Sequence, residues 1–322
     1  MNMKKVLILG ATGNFGKAQA QALLDAGWHV HLLLRDLDKF KQDAMCNNVN
    51  VSLFKGDAMN VDDLLAAGKG CEAIVHGINM PYDKWAELMP KITDNVMQVA
   101  KKLNATILFS GNIYNFSPDD GPIYDEQSPQ NPITKKGAFR KRLEQDMAHF
   151  AQTQGVQIIV LRAGDYWGPD SSDSSFFKYL VLDNVPKGKI WLSGAKDKKH
   201  AWAYLPDLGK IGAALLARKN ELDLFEIFHS AGHDLTGMEM VTAVEQIVGK
   251  KLKLGKFPWG MIRIIGIFNK AFQEMLEMRF MANVAQSLNQ DKLEALLGEV
   301  PYTPMDEALK VTFKAHNVDT NF

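Results

Sequence analysis

Residues 5–16, KVLILGATGNFG, leave this chain few folds to choose from. Val6, Leu7, Ile8 and Leu9 form an apolar run of the length expected for a buried strand. Glycines follow at 10, 13 and 16. Beyond them Ala18, Ala20, Ala22, Leu23 and Leu24 recur at helical spacing. A strand, a tight turn and a helix start in this order are the context in which a glycine pattern means phosphate binding. Gly10 lets the chain turn off the strand, Gly13 lets backbone approach a pyrophosphate, and Gly16 lets helix and strand pack closely. The first-turn N–H groups and the helix dipole then face the phosphates, so the stretch predicts a dinucleotide site.

The rest of the first half repeats the alternation. Strands are predicted over 28–34, 49–54, 73–76 and 105–109, the last ending at Ser110, with a long helix near 85–103. Strands alternating with helices imply an α/β fold with a doubly wound parallel sheet, whose ligand crevice lies beyond the carboxyl ends of the strands. At the end of the second strand an NAD site usually places a carboxylate for the adenosine ribose. This chain places Leu34 and then Arg35 there, with Lys39 one turn further on. An arginine pairs with a 2′-phosphate, so NADP is the expected cofactor; NAD stays open, because Asp36 is within reach of a ribose. Asp57, followed by Ala58, has two readings: an adenine contact, or a cap for the helix beginning near Val61. The turn Gly77-Ile78-Asn79 should lie beside the ribose-phosphate groups.

Composition narrows the class. The 322 residues are 46% hydrophobic, and 37 Lys plus Arg balance 37 Asp plus Glu. With no net field, neither nucleic acid nor an acidic membrane is an expected partner. Cys46 and Cys71 have no metal spacing, so no metal is expected and a reducing compartment is implied. The chain enters its first strand almost at once, with no room for a signal peptide. Residues 257–268 are apolar but contain Arg263 and are too short to span a bilayer; they read as a buried or substrate-covering helix. A cytoplasmic protein acting on a small molecule is the expectation.

Further landmarks carry a family resemblance. GATGNFG, the Lys55-Gly56-Asp57 segment, Ser110-x-x-x-Tyr114, the segment Leu161 to Pro169 (LRAGDYWGP) and Tyr204-Leu205-Pro206-Asp207-Leu208 occur in order. Together they resemble the extended short-chain dehydrogenase/reductases, the class of NAD-dependent sugar epimerases and dehydratases. The resemblance implies a Rossmann-type domain over 1–168, completed by about 202–230. A smaller, mainly helical substrate subdomain would be built from 169–201 and 231–322. It also implies that Gly10, Thr12, Gly13, Asn14, Phe15, Gly16, Arg35, Asp57, Ala58, Asn79, Arg140 and Asp165 hold the cofactor. Ser110 and Tyr114 would stand at the reacting end. By the same analogy the chain could form a homodimer through helices near 84–103 and 133–154.

The catalytic helix departs from that class. Its members carry a tyrosine and, four residues later, a lysine on the helix after strand five. Aligning Glu144 with the acid usual there puts Lys136 at the tyrosine position and Arg140 at the lysine position. No tyrosine lies between Tyr124 and Tyr166. The Lys136, Arg140, Glu144 spacing is similar to that of isoflavone- and pinoresinol-reductase-like members, in which a lysine on this helix is the proposed proton carrier and NADPH the usual cofactor. A lysine close to Arg140 and a positive nicotinamide could titrate near neutrality. Alternatively, KKGAFRKR is a solvated basic face with Lys136 on its surface.

Other groups have paired readings. Ser110 either polarises a substrate carbonyl or serves as a turn residue. Tyr114 faces the crevice or packs with Phe116. Asp165 and Tyr166 bind the carboxamide, orient substrate, or merely turn the chain before Gly168-Pro169. His200 and Trp202 line the pocket or the core. Residues 170–175 form a polar loop over the cleft. Thr236-Gly-Met-Glu is a capping-box start for a helix ending at Gly249. The expected activity is NADP-preferring hydride transfer to or from a small carbonyl, hydroxyl or conjugated substrate. The rivals are a nucleotide-sugar epimerase or dehydratase with a tightly held cofactor, and a non-catalytic NADP-binding redox sensor.

Overall fold

A computed structural model of the chain describes residues 3–41, 43–172 and 175–318. Its first half runs β1 (Lys5–Leu9), α1 (Asn14–Asp25), β2 (His29–Leu34), β3 (Val51–Lys55), α2 (Val61–Ala67), β4 (Ala73–His76), α3 (Trp85–Leu103) and β5 (Thr106–Gly111). Then come β6 (Ile123–Tyr124), α4 (Lys135–Gln154), β7 (Ile158–Ala163), β8 (Asp165–Trp167), β9 (Lys189–Leu192), β10 (Lys199–Tyr204) and α5 (Leu205–Ala217). The chain closes with β11 (Phe225–Ser230), β12 (His233–Thr236), α6 (Gly237–Val248), β13 (Lys253–Lys256), α7 (Trp259–Gly266), α8 (Lys270–Glu277), β14 (Ser287–Leu288), α9 (Asp291–Leu297) and α10 (Met305–Ala315).

Seven strands form one sheet in the order β11-β7-β5-β4-β1-β2-β3, every neighbouring pair parallel. Their apolar runs follow from burial on both faces. Val6 and Ile8 join the core under α1 and α5, while Leu7 and Leu9 join the core under α2, α3 and α4. The chain reverses its direction of winding between β1 and β4, which opens the crevice at their carboxyl ends. α1 and α5 lie close together: a Cβ at Gly209 would stand 2.5 Å from the Ala18 carbonyl, and Gln19 Nε2 donates to the Leu208 carbonyl at 2.9 Å.

A third core lies beside the sheet. Trp167, Phe177, Trp202, Met240, Val244 and Phe313 pack the small sheet β12-β10-β8 and the pair β13-β9 against α6 and α10. The capping box at Thr236 and Glu239 is present, and Gly249 ends α6 in the left-handed region. Two expectations need correction. The third strand starts at Val51, because the Asn48 side chain accepts from Asn50 N in a turn and leaves Val49 in solvent. The 257–268 segment is only half buried: Phe257, Ile262 and Gly266 face inward, but Met261, Ile264, Ile267 and Phe268 stand outward. Among the described residues no helix is long and apolar enough to cross a membrane.

Candidate active site

The glycine loop is built from three close backbone approaches. Gly10 has φ +82°, and a Cβ there would lie 2.6 Å from the Gly77 carbonyl at the end of β4. Gly16 is tighter still, since its Cβ would lie 2.3 Å from the Gly10 carbonyl. The expected helix–strand contact is thus a contact of α1 with the loop's own first carbonyl and with the turn after β4. Gly13 N donates to Gly10 O at 2.9 Å and caps α1 without a side chain. The first-turn N–H groups, which have no intrahelical acceptor, are left for an anion. Thr12 is exposed beside them. Asn14 is partly committed: its Oδ1 accepts from Ser172 N at 2.6 Å. Phe15 contributes backbone alone, because its ring is buried and stacks on Tyr166 with centroids 6.4 Å apart.

The segment after β8 folds back over this loop. Lys17 Nζ lies 3.0 Å from both Asp43 and Asp170, and His316 Nε2 lies 3.2 Å from the Gly168 carbonyl. Residues 173 and 174, within the predicted 170–175 loop, lie outside the described residues, as does the Lys39 side chain.

On the adenosine side, Arg35 is exposed at the end of β2 and has no partner among the described residues. Asp57 does not cap α2; Asn60 does, accepting from Asp62 N. Asp57 instead accepts from Met59 N at 2.9 Å, which leaves its second oxygen unused by the chain. Ala58 is buried, and its carbonyl accepts from Asn95 Nδ2. Asn79 is exposed after β4, and its Oδ1 accepts from Trp85 Nε1 at 3.0 Å.

At the reacting end the structure pairs hydroxyls. Ser110 Oγ, at the end of β5, lies 2.9 Å from Tyr166 Oη on β8. Tyr114 Oη lies 2.8 Å from Tyr82 Oη, and both rings pack on Trp85. Tyr114 also packs on the small cluster that contains Phe116, whose ring stacks on Tyr124. Loss of bulk water pushes all three crevice phenols, Tyr82, Tyr114 and Tyr166, above the usual tyrosine value, so they are protonated at neutral pH. Asp165 reaches solvent yet stands crowded inside the crevice, and desolvation raises its carboxyl to about 6. Tyr82 was invisible in the sequence: it precedes α3 in an irregular turn and meets Tyr114 only across 32 residues.

Arg140 and Lys136 both point inward from α4, so KKGAFRKR is not simply a solvated face. Arg140 Nη2 donates to the Ser110 carbonyl while its guanidinium lies over Phe109 and Trp85. Its Nε is buried and without a partner among the described residues. Lys136 is buried, which corrects the reading of it as a residue of a solvated basic face. It is 4% exposed, and Nζ is held by Glu274 at 2.5 Å and Glu277 at 2.8 Å, both on α8. Nζ is thus engaged in two ion pairs with α8. It also lies 5.1 Å above the Tyr82 ring.

The remaining polar groups are structural. Glu144 takes hydrogen bonds from Arg162 and from Asn115 Nδ2, tying α4 to β7 and to the loop after β5. His76 and His229 are buried and driven down to about 3, chiefly by desolvation, so both are neutral. His200 and Trp202 line a cavity of about 30 Å³ with Leu180, Ile190 and Met240, in the third core. Among the described residues no cluster of His, Cys, Asp or Glu could hold a metal.

Comparison with known proteins shows what the chain is similar to. The model of the NmrA-like family matches residues 2–156. Eugenol synthase 1 of Petunia hybrida is 23% identical over 260 residues, spanning 77% of this chain and 76% of that protein. A UDP-N-acetylglucosamine 4,6-dehydratase (inverting) of Campylobacter jejuni is 24% identical over 192 residues, 57% of this chain and 55% of its own length. The solved UDP-glucuronic acid 4-epimerase of Bacillus cereus, in complex with UDP-glucuronic acid and NAD, superposes with a TM-score of 0.76. It covers 97% of this chain and 99% of its own at 15% identity.

Proposed function

We propose that the chain is a member of the extended and atypical short-chain dehydrogenase/reductases, an oxidoreductase that binds NADP and reduces a small carbonyl or conjugated substrate; its similarity to the NmrA-like family model, to eugenol synthase 1 and to the epimerase fold supports this reading. The observation that carries the reading is the Ser110–Tyr166 hydroxyl pair beside Asp165 and Arg140, where the carboxyl end of β5 meets β8 and α4. The cofactor fits the residues present. A helix N-terminus without a side-chain cap faces the loop, glycines stand where a Cβ would clash, and Arg140 Nε is buried without an acceptor among the described residues.

The loop N–H groups of residues 12–16 would hold the pyrophosphate, and Arg35 the 2′-phosphate. Arg140 Nε would meet ribose oxygens. When bound, the nicotinamide supplies or takes up a hydride. Ser110 and Tyr166 hydrogen-bond to the substrate oxygen and hold it in place. As the carbonyl becomes a hydroxyl, the Tyr166 phenol delivers the proton, either directly or through Ser110 Oγ. Burial keeps the phenol protonated, while its hydrogen bond to Ser110 and the nearby Arg140 charge favour the phenolate that proton transfer leaves behind. Lys136 positions: it fixes α8 against the start of α4 and over Tyr82. Arg162 and Lys136, cations close to the reacting end, are committed to carboxylates of the chain, which favours this reading over recognition of a sugar diphosphate.

Titration with NADPH and NADH, followed by tryptophan quenching, tests the cofactor assignment. NADPH should bind tighter by about tenfold or more, the scale of one charge-assisted pair, and Arg35→Ala should erase the difference. Preference for NADH would overturn the role of Arg35. Failure to oxidise NADPH with any carbonyl substrate would favour the sensor.

A further inference from the structure

The net charge of zero hides a segregated surface. Between Glu245 and Glu274 the chain carries Lys250, Lys251, Lys253, Lys256, Arg263 and Lys270 and no acidic residue. Lys251 pairs with Glu245, but Lys253, Lys256, Arg263 and Lys270 are exposed and have no acidic partner among the described residues. The same stretch concentrates exposed apolar side chains. Leu254 is 50% exposed, Met261 54%, Ile264 64%, Ile267 74% and Phe268 87%. These are five of the fourteen large hydrophobics that stand in solvent among the described residues, and all lie within fifteen positions of one another.

This is not a helix hanging loose. Its inner face is anchored: Trp259 Nε1 donates to the Ser193 carbonyl at 2.6 Å, the Trp259 ring packs on Phe257, and Ile262 is buried in the third core. Met261 and Ile264, at i and i+3, stand on the opposite face with Arg263 alongside, and Ile267 and Phe268 follow in the turn that ends the helix. A fixed apolar face rimmed by unpaired cations has the chemistry of a segment that lies in a membrane interface. Its apolar side chains reach the acyl boundary while lysine and arginine heads remain among anionic headgroups. Eight helical residues cannot span a bilayer, so the contact is peripheral.

We propose that residues 250–270 dock this protein onto an anionic lipid surface, with α7 lying in the interface. The charge complementarity selects a lipid surface over a second copy of the chain, whose same face would present the same cations. The docking does not depend on the reaction proposed above. α8, which follows this face in the chain, is tied to the start of α4 through Lys136.

Flotation of the full chain with phosphatidylcholine vesicles, with and without phosphatidylserine, tests this. The expected result is binding only to the anionic vesicles, weakening as salt is raised. Arg263→Gln should lower vesicle affinity about fivefold, the effect of one surface cation. The double variant Ile267→Glu with Phe268→Glu should abolish binding with an unchanged melting temperature. Val49→Glu, at an exposed apolar residue elsewhere, should leave binding intact. No binding to anionic vesicles at low salt would overturn the proposal, as would binding indifferent to the double variant. Sedimentation showing a dimer that the double variant dissolves, without vesicle binding, would assign the face to a second copy instead.

Discussion

Lys136 Nζ lies 2.8 Å from a carboxylate oxygen of Glu277, a residue 141 positions further along the chain. The same carboxylate group accepts from Lys135 N at 2.6 Å, so α8 both neutralises the lysine and caps the start of α4. Burial would raise the Glu277 carboxyl, but its hydrogen bonds to Lys136 and the α4 backbone hold it below the usual value. A residue positioned in the chain as a proton carrier is thereby a clasp between two segments.

Lys136→Met should therefore cost stability more than chemistry. It strands Glu274 and Glu277 beside an apolar side chain, at about 2 kcal/mol; this is less than for a fully buried pair because both carboxylates keep some solvent access. Thermal unfolding should show the loss, with KM raised and kcat changed only a few-fold. A large fall in kcat at unchanged melting temperature would return the proton role to Lys136.

Tyr166→Phe removes the phenol but keeps the ring that stacks on Phe15. We expect kcat to fall about 100-fold or more, the usual worth of a positioned general acid, with NADPH affinity retained. Single-turnover kinetics would separate this from a binding defect. An unaffected rate would move the acid to the Tyr82–Tyr114 pair.

Two groups of opposite sign shape the pH dependence of stability. His76 and His229 titrate near 3 in the fold against an ordinary 6.5, so the unfolded chain takes up protons first. Their contribution falls as pH drops through that window. Asp165 is raised from 3.8 to about 6, so there the folded chain holds the extra proton, and stability falls as pH rises between those values. Melting temperature against pH should show Asp165→Asn more stable than the parent at neutral pH, with the two converging in acid. A constant offset across the range would refute the Asp165 assignment.

Gly16→Ala should disable the phosphate loop. Its Cβ would meet the Gly10 carbonyl at 2.3 Å, a clash with backbone that no rotamer relieves, costing about 1–3 kcal/mol or more. NADPH binding should be lost with it. Gly27→Ala is the control: φ is +80°, but nothing lies within 4 Å, so only left-handed strain of about 1–2 kcal/mol arises and binding survives. Equal effects from the two variants would contradict the packing account.

The sequence by itself determined the seven-stranded parallel sheet's local pieces and the glycine loop. Strand runs such as Val6 to Leu9, the loop of residues 10–16 and the Thr236 capping box depend on neighbours a few positions apart, and their periodicity is written in the chain. It also put Ser110 at the carboxyl edge of the sheet, where parallel strands end together, while Arg140 and Asp165 were legible only through the family resemblance. Tertiary structure alone decided their partners. Ser110 meets Tyr166 across 56 residues, Tyr114 meets Tyr82 across 32, and Lys136 finds Glu274 across 138. It also decided which face of α7 is covered, since an apolar helix shows its composition in sequence but not what packs on it. Long-range contacts of this kind arise when irregular segments close over a scaffold, and no local pattern encodes which side chains will then stand within 3 Å of each other.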